Sequence, residues 1–147
     1  MSFRPLDQLV EDADQRLEVA EGYGLERLVG QLYEERSRKR VGSFGLSHRI
    51  QGYWNAPDTG IDLVALSEDE RRVRFVCCKR DARALPADLT ALEGHVQRFL
   101  RTFPRYADWR HETVGVAPSI ATDLRRALAA RGHLAQDLDD LLQGIVA

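Results

Sequence analysis

The sequence predicts one domain of the α/β class, with helices packed around a central mixed β-sheet. The 147 residues suffice for a single domain that buries about two thirds of the surface its unfolded chain exposes. Two runs, Ile61–Leu66 and Val73–Lys79, are apolar at consecutive positions, as in central strands that are covered on both sides. Segments with helical spacing of apolar residues precede and follow these runs, and this order of elements is typical of an α/β layer protein.

Composition excludes histones and strongly basic nucleic-acid-binding arms. Hydrophobic residues at 44% and charged residues at 30% are ordinary for a globular domain, and the net charge of -2 gives no overall basic field. The two cysteines, Cys77 and Cys78, are neighbours that point to opposite faces of a strand, which favours free thiols in a reducing compartment. No apolar run resembles a signal peptide or approaches the roughly 20 residues of a membrane span, so we expect a cytoplasmic protein.

Two helices are predicted before the first strand. The first covers Pro5–Glu21, and glycines at 22 and 24 separate it from a second helix that runs from Leu25 to about Arg38. Glu26 lies at the edge of the apolar stripe of the second helix. That stripe consists of Leu25, Leu28, Val29 and Leu32.

Three strands are predicted next. An approximate period of two predicts a strand over Arg40–Trp54, and Asn55–Gly60 has the composition of a turn. The two apolar runs follow, joined by a charged hairpin turn over Ser67–Arg72.

The remaining chain alternates between helix and strand. Pro86 marks a helix start, Thr113–Ala117 is a predicted strand, and a further helix follows Pro118 and ends near Gly132, a suitable C-cap. The tail, His133–Ile145, fits either a short strand or a helix.

The predicted hairpin brings an acidic residue, Asp62, and a basic residue, Lys79, close together. If Leu66 faces Val73, then Asp62 lies opposite Cys77, and Lys79 falls on the same face. A register shifted by one residue would separate Asp62 from Lys79. Because charged groups are costly to bury without partners, the pair indicates either a structural ion pair or a functional site.

Three short motifs carry a resemblance to a known family. The stretches "GYWNAPDTGIDLVAL" and "RVRFVCCK" resemble the restriction-endonuclease-like superfamily, which is named for its PD-(D/E)xK motif. Within it they are similar to the C-terminal domain of archaeal and bacterial DEXX-box ATPases, and "GYGLERLV" resembles the first core helix of that domain. The resemblance covers residues 22–142 and implies a three-layer α/β/α core with a central mixed sheet, with residues 1–21 as an added N-terminal helix. The whole chain, 1–147, would then be one nuclease-like domain.

The resemblance implies roles for four residues. Asp62 would be the principal ligand of Mg²⁺ or Mn²⁺, Glu26 an outer ligand, and the carbonyl of Cys78 would complete the metal shell. Lys79 would orient the attacking water and stabilise developing charge. The sequence has no GxxxxGK[ST] loop, so an ATPase partner would be encoded separately.

Two departures from the family pattern remove negative charge. The carboxylate expected two residues before the lysine is replaced by Cys77, and the Glu that often precedes Ile-Asp is replaced by Gly60. Magnesium prefers oxygen ligands, whereas thiols select softer metals. Glu93 is the candidate for a carboxylate that has migrated to the following helix. We therefore expect a non-catalytic module that binds nucleic acid or a protein partner; the alternative is an active Mg²⁺- or Mn²⁺-dependent DNA endonuclease.

Two basic patches are candidates for contacts with DNA phosphates. The first, Arg38, Lys39 and Arg40, also suits the end of a helix, where cations complement the helix dipole, and the helix-end interpretation is favoured. The second consists of Arg80 and Arg83, next to the candidate lysine. Aromatic side chains at 53 and 54 fit either base stacking or packing under the sheet.

Overall fold

A computed structural model describes residues 23–56 and 59–145 of the chain. The predicted N-terminal helix over Pro5–Glu21 lies outside the described residues. The helices are α1 (Tyr23–Arg38), α2 (Leu85–Thr102), α3 (Thr122–Ala130) and α4 (Leu138–Leu142). The strands are β1 (Gln51–Ala56), β2 (Thr59–Ser67), β3 (Arg72–Cys78), β4 (Arg110–Val116) and β5 (Leu134–Gln136). Short 3₁₀ turns cover Ala82–Ala84 and Pro104–Tyr106.

The described residues form an α/β fold around one five-stranded sheet with the order β1-β2-β3-β4-β5. The first three strands are antiparallel neighbours, and β3, β4 and β5 run parallel. Tight hairpins can join antiparallel strands, whereas parallel neighbours need a crossover, and α2 and α3 supply the two crossovers. The mixed sheet predicted from the sequence is confirmed.

Helices cover both faces of the sheet. One core lies between the sheet and helices α1 and α4, and the other lies between the sheet and helices α2 and α3. All seven residues of β3 are buried, as expected for the central strand. The helices of the described chain are too short or too polar to cross a membrane.

The predicted strand over Arg40–Trp54 is wrong for most of its length. Helix α1 is followed by two residues with left-handed backbone, Arg40 (φ 55°) and Gly42 (φ 79°), and the strand begins only at Gln51. Phe44 and Ile50 are buried although they lie in a loop, and their burial produced an apparent period of two. The turn predicted over Asn55–Gly60 is shorter, because β1 and β2 extend into it.

The later elements agree with the sequence. Gly132 has a positive φ of 84° and ends α3, while the N–H of His133 donates to the carbonyl of Leu128, as in a Schellman cap. The tail contains both alternatives, the short strand β5 followed by helix α4. Strand β4 begins at Arg110, three residues before its predicted start.

The predicted register of the central hairpin is confirmed. Leu66 pairs with Val73, and the pairing continues to Leu63 opposite Val76. Beyond that pair the ladder ends, and the predicted pairing of Asp62 with Cys77 is not formed.

Candidate functional site

The candidate residues meet at one edge of the sheet. Strand β2 begins there, strand β3 ends there, and helices α1 and α2 each bring their first turn to it. Glu26 belongs to the first turn of α1, and Asp88 to the first turn of α2. Asp62 lies near the start of β2, and Lys79 directly follows β3.

Asp62 lies in a β-bulge. Gln51 pairs with Val64 and Tyr53 pairs with Ile61, so β2 takes three steps where β1 takes two. The extra residue places Ile61 and Val64 in the same core, on the α2 side, although strict alternation would separate them. Bulges redirect side chains, and here the Cys78 backbone N–H donates to Asp62 Oδ2 at 2.8 Å. The carboxylate therefore takes the place of a ladder hydrogen bond between β2 and β3.

Glu26 and Asp62 form a pair of neighbouring carboxyl groups. The pKa of Glu26 is raised to about 7, mainly because the group is partly buried and also because of the charge and hydrogen bond of Asp62, while the charge of Lys79 opposes that rise. Burial also raises the pKa of Asp62, while the Cys78 N–H and the charge of Lys79 oppose that rise. Near neutral pH the pair therefore holds about one proton between its two carboxyl groups.

Lys79 is paired with Asp88, not with Asp62. The Lys79 ammonium lies 2.7 Å from Asp88 Oδ2, and both side chains are partly exposed. The backbone N–H of Lys79 donates to the carbonyl of Val116, which fixes the end of β3 against β4. The buried Asp62–Lys79 ion pair considered from the sequence is therefore not formed, although the charge of Lys79 still acts on both carboxyl groups near it.

Gly115 in β4 lets α2 approach the sheet closely enough for this pairing. A Cβ atom at Gly115 would lie 3.1 Å from Leu89 Cδ1 and 3.2 Å from Leu85 Cδ2. Both leucines belong to α2 and are fully buried. The missing side chain thus sets the separation between the sheet and the turn that carries Asp88.

The two thiols point to opposite faces, as predicted. Cys77 packs in the core on the α2 side, and Cys78 packs in the core on the α1 side. Burial raises the pKa of Cys77 to about 12 and that of Cys78 well above its ordinary value. Both side chains are therefore neutral thiols at physiological pH and behave as small apolar residues. Cys77 Sγ lies 3.8 Å from Asp88 Oδ2.

The described residues do not form a site for a firmly held divalent cation. They contain no group of three or more His, Cys, Asp or Glu side chains arranged to hold a metal ion. Glu26 and Asp62 offer two carboxyl groups, but one oxygen of Asp62 already accepts the Cys78 N–H. Magnesium demands a nearly complete shell of oxygen ligands, and the position of the third carboxylate is held by a thiol. The residues present do not fit a catalytic magnesium ion.

Asp88 and His95 are site residues that the sequence interpretation missed. Asp88 lies two residues after Pro86 in the predicted helix start, where acidic residues are common because they complement the helix dipole. The charge of His95 acts on Asp62, and its Nδ1 atom is buried without a hydrogen-bond partner among the described residues. Glu93, the predicted migrated carboxylate, is exposed, and its charge acts on His133 instead. The contact between Asp88 and Lys79 could not be predicted from their spacing in the sequence, because a loop and a 3₁₀ turn lie between them.

The basic patches lie at different distances from this edge. Arg80 and Arg83 are exposed beside Lys79 and line an open depression of about 850 Å³ at the carboxyl ends of β3 and β4. Arg38, Lys39 and Arg40 are exposed at the other end of α1, about 18 Å along the helix from its acidic first turn. Arg38 and Lys39 both pair with Glu35. The structure therefore brings the second patch to the candidate site and leaves the first one remote.

The aromatic residue Tyr53 packs under the sheet. Its ring contacts Phe99 edge-on at a centroid distance of 5.3 Å, and its hydroxyl lies 3.1 Å from Thr102 Oγ1. This is the packing alternative of the two raised by the sequence. The side chain at 54 lies outside the described part of the chain.

No protein-family model matches this chain, and neither a curated protein nor a solved structure does. Its function is therefore inferred from the chemistry of its own residues.

Proposed function

We propose that this chain is a restriction-endonuclease-like domain that has lost magnesium-dependent catalysis and binds nucleic acid at the edge of its sheet. The observation that carries the proposal is the pairing of Lys79 with Asp88 beside a thiol. The lysine that would stabilise developing charge is neutralised, and the position two residues earlier holds Cys77 in place of a carboxylate.

The state of the carboxyl pair supports this proposal. Metal-dependent hydrolysis of a phosphodiester needs a cation that activates water and stabilises the oxygens of the reacting phosphate. Glu26 and Asp62 instead lower their mutual repulsion by retaining a proton near pH 7. A cation would have to displace that proton and would find no third carboxylate, so its affinity is expected to be weak.

The layering of the fold also supports a nuclease-like origin. Helices pack on both faces of a mixed sheet, and Asp62 and Lys79 lie at the ends of adjacent strands, as the resemblance implies. Open α/β sheets bind ligands outside the carboxyl ends of their strands, where the depression beside Arg80 and Arg83 lies.

The basic residues at this edge are available to phosphates. Arg83 pairs with Asp81, but its side chain is 89% exposed, and ion pairs at such positions are weak. Arg80 is exposed next to it. Arg80 and Arg83 therefore give the edge two cations that a nucleic-acid backbone can reach, while Lys79 is held by Asp88.

The binding test uses fluorescence anisotropy of labelled duplex and single-stranded DNA over a series of salt concentrations. Replacing both Arg80 and Arg83 with Ala should weaken binding and reduce the salt slope by about 2, since each lost phosphate contact removes about one released counterion. Arg101→Ala, in the last turn of α2, controls for the change of a single exposed charge. Binding that is absent, or unchanged in the double variant, would leave a protein partner such as a separately encoded ATPase as the alternative.

The metal test is calorimetric titration of Mg²⁺ and Mn²⁺ into the wild type and Asp62→Asn, with DNA cleavage measured in parallel. We expect weak binding that Asp62→Asn abolishes, and no cleavage above background. Tight magnesium binding by the wild type would contradict the loss of catalysis.

One observation favours the alternative of an active nuclease. Asp88 Oδ2 lies close to both Cys77 Sγ and the Lys79 ammonium, where a carboxylate on the strand would reach. Asp88 would then be the migrated carboxylate in place of Glu93. In that case wild-type protein cleaves DNA with Mn²⁺ or Mg²⁺, Asp88→Asn abolishes the cleavage, and Glu93→Gln leaves it intact.

A further inference from the structure

A second polar cavity lies on the other side of the sheet, between α1, the loop after it, β3 and α4. Its volume is about 140 Å³, and none of its nine lining residues carries a carboxylate. Two of them, Arg36 and Arg74, carry guanidinium groups. The other polar lining residues are Tyr33, Ser43 and Gln136. The cavity is therefore positively charged and supplied with hydrogen-bond donors.

Arg74 is 7% exposed, and its charge is only partly compensated. Its Nε atom donates to Glu112 Oε1 at 3.0 Å. The same carboxylate accepts two hydrogen bonds from Arg72, at 2.8 and 3.1 Å. Arg72 has a second carboxylate partner, Glu70 Oε2 at 3.0 Å, whereas Arg74 has only the shared Glu112, and the terminal nitrogens of Arg74 form no ion pair within the described ranges. A buried charge in this state favours an anionic partner.

Arg36 also lines the cavity, with one of its guanidinium nitrogens already engaged. Its Nη1 atom donates to the carbonyls of Asp140, Leu141 and Gln143 at the end of α4. Its Nη2 atom lies against Gly42, where a Cβ atom would approach to 2.6 Å. Gly42 also has a left-handed φ of 79°, so glycine is required there both for the backbone and for the space that Nη2 occupies.

Neutral groups complete the lining. The Tyr33 hydroxyl donates to Gln136 Oε1 at 2.6 Å, which leaves the amide nitrogen of Gln136 as a donor. The Phe44 ring covers the Arg74 guanidinium at 4.7 Å. An aromatic cover and two guanidinium groups form a partly dry site, in which charge-assisted hydrogen bonds are strong.

We propose that this cavity binds a small tetrahedral oxyanion of the phosphate class. Its volume suits one phosphate group and is too small for a whole nucleotide. The planar fork of donors on a guanidinium matches the oxygens of a phosphate. The anion comes either from free phosphate or from the terminal phosphate of a nucleic acid. The cavity does not depend on the Asp62 edge, because Arg74 lies about 13 Å along β3 from Cys78.

The test is calorimetric titration of the full chain with inorganic phosphate, with sulfate as a second tetrahedral anion and chloride as the background ion. Ser43 is exposed at the cavity, so Ser43→Glu should introduce a competing carboxylate without disturbing the core. We expect Ser43→Glu to lose about tenfold or more in phosphate affinity, and the uncharged Ser43→Gln to lose much less. Tyr33→Phe, which removes one hydroxyl from the lining, should weaken binding by a smaller factor.

The absence of a phosphate-dependent heat in the wild type would overturn the proposal. Equal phosphate affinity of Ser43→Glu and Ser43→Gln would overturn it as well, because binding would then lie elsewhere. Thermal unfolding of each variant without anions reports whether the fold is retained. Oligonucleotides with a 5′-phosphate or a 5′-hydroxyl separate the two sources: competition by the phosphorylated form alone identifies a terminal phosphate, and competition by neither identifies free phosphate.

Discussion

The Lys79 ammonium and the Asp88 carboxylate form an ion pair of 2.7 Å that joins the end of β3 to the first turn of α2. The two side chains are 42% and 36% exposed, so the pair contributes little to stability. Its main effect is electrostatic. It engages the ammonium group that a bound phosphate would otherwise meet, although the charge of Lys79 still acts on the carboxyl groups of Glu26 and Asp62.

Asp88→Asn should therefore strengthen DNA binding. The change frees Lys79 for a phosphate, so we expect tighter binding and a salt slope that is steeper by about 1, with a change in stability within about 1 kcal/mol. Anisotropy titrations at several salt concentrations measure both quantities. Glu93→Gln is the matched control, because it removes one carboxylate from an exposed position on the same helix. Weaker binding by Asp88→Asn would contradict the role assigned to the ion pair.

Glu26 should make the domain less stable as the pH rises through 7. Its pKa is raised to about 7 in the folded state, whereas the unfolded chain releases the proton near the ordinary value of about 4.3. Between these values the folded state binds more protons, so the free energy of unfolding falls with rising pH until it levels off above about 7. The raised pKa of Asp62 acts in the same direction.

Glu26→Gln tests this dependence by urea denaturation at pH 5 and pH 8. We expect the variant to be more stable than the wild type at pH 8 and to differ little from it at pH 5. Glu34→Gln, on the same helix, controls for the loss of one carboxylate. A variant that lost stability equally at both pH values would show that Glu26 acts through packing.

Cys77→Glu should make the stability of the domain depend on the concentration of divalent cations. The new carboxylate would be buried beside Asp88 and would lose the apolar packing of the thiol, at a cost of about 1–3 kcal/mol without metal. Mn²⁺ or Mg²⁺ should recover part of that loss by binding between the carboxylates. Thermal unfolding with increasing Mn²⁺ measures the recovery, and Cys77→Gln provides a variant of the same shape without the charge. An equal response of the two variants to Mn²⁺ would count against a vestigial metal site.

Gly115→Ala should destabilise the domain by about 1–3 kcal/mol, because the new methyl group would press on the buried side chains of Leu85 and Leu89. Gly94→Ala is the comparison within α2: nothing lies within 4 Å of its Cβ position, and alanine should stabilise the helix by about 0.5–1 kcal/mol. Urea denaturation measures both. If Gly115→Ala were as stable as the wild type, α2 would have room to move, and the close approach could not be what positions Asp88.

The central hairpin could be predicted from the sequence because its pattern is unambiguous. Two apolar runs joined by a short charged turn leave few registers, and Leu66 opposite Val73 is the one that forms. The bulge at Asp62 could not be predicted from the pattern of polar and apolar residues in the sequence. In a strand buried on both faces, an inserted residue does not change the alternation of polar and apolar positions, because there is none. The sequence therefore predicted which residues approach this edge but not the pairing of their side chains.

The loop after α1 was misread for a related reason. Sequence periodicity reports burial, and Phe44 is buried by packing against Arg72 and Arg74 from a loop. Sequence periodicity could not predict the pairing of Lys79 with Asp88 either, because that pairing depends on the path of the chain through the 3₁₀ turn between them. Long-range contacts of single charged side chains leave no periodic signal.

Arg40→Gly should stabilise the domain by about 1 kcal/mol, which corresponds to a rise of about 3 °C in melting temperature. Arg40 has a left-handed φ of 55° after α1, while the N–H of Val41 donates to the carbonyl of Arg36 at 2.9 Å, so Arg40 occupies the position where glycine ends a helix without strain. Lys39→Gly removes the same charge one residue earlier, where φ is not positive, and should leave stability unchanged or lower it. If the two variants melt alike, the backbone at 40 carries no strain.

The same two variants test the role of the basic run, because each of them loses one cation from it. Equal DNA affinity in both variants and the wild type would assign that run to the end of the helix. A loss of affinity shared by both variants would assign it to phosphate contact.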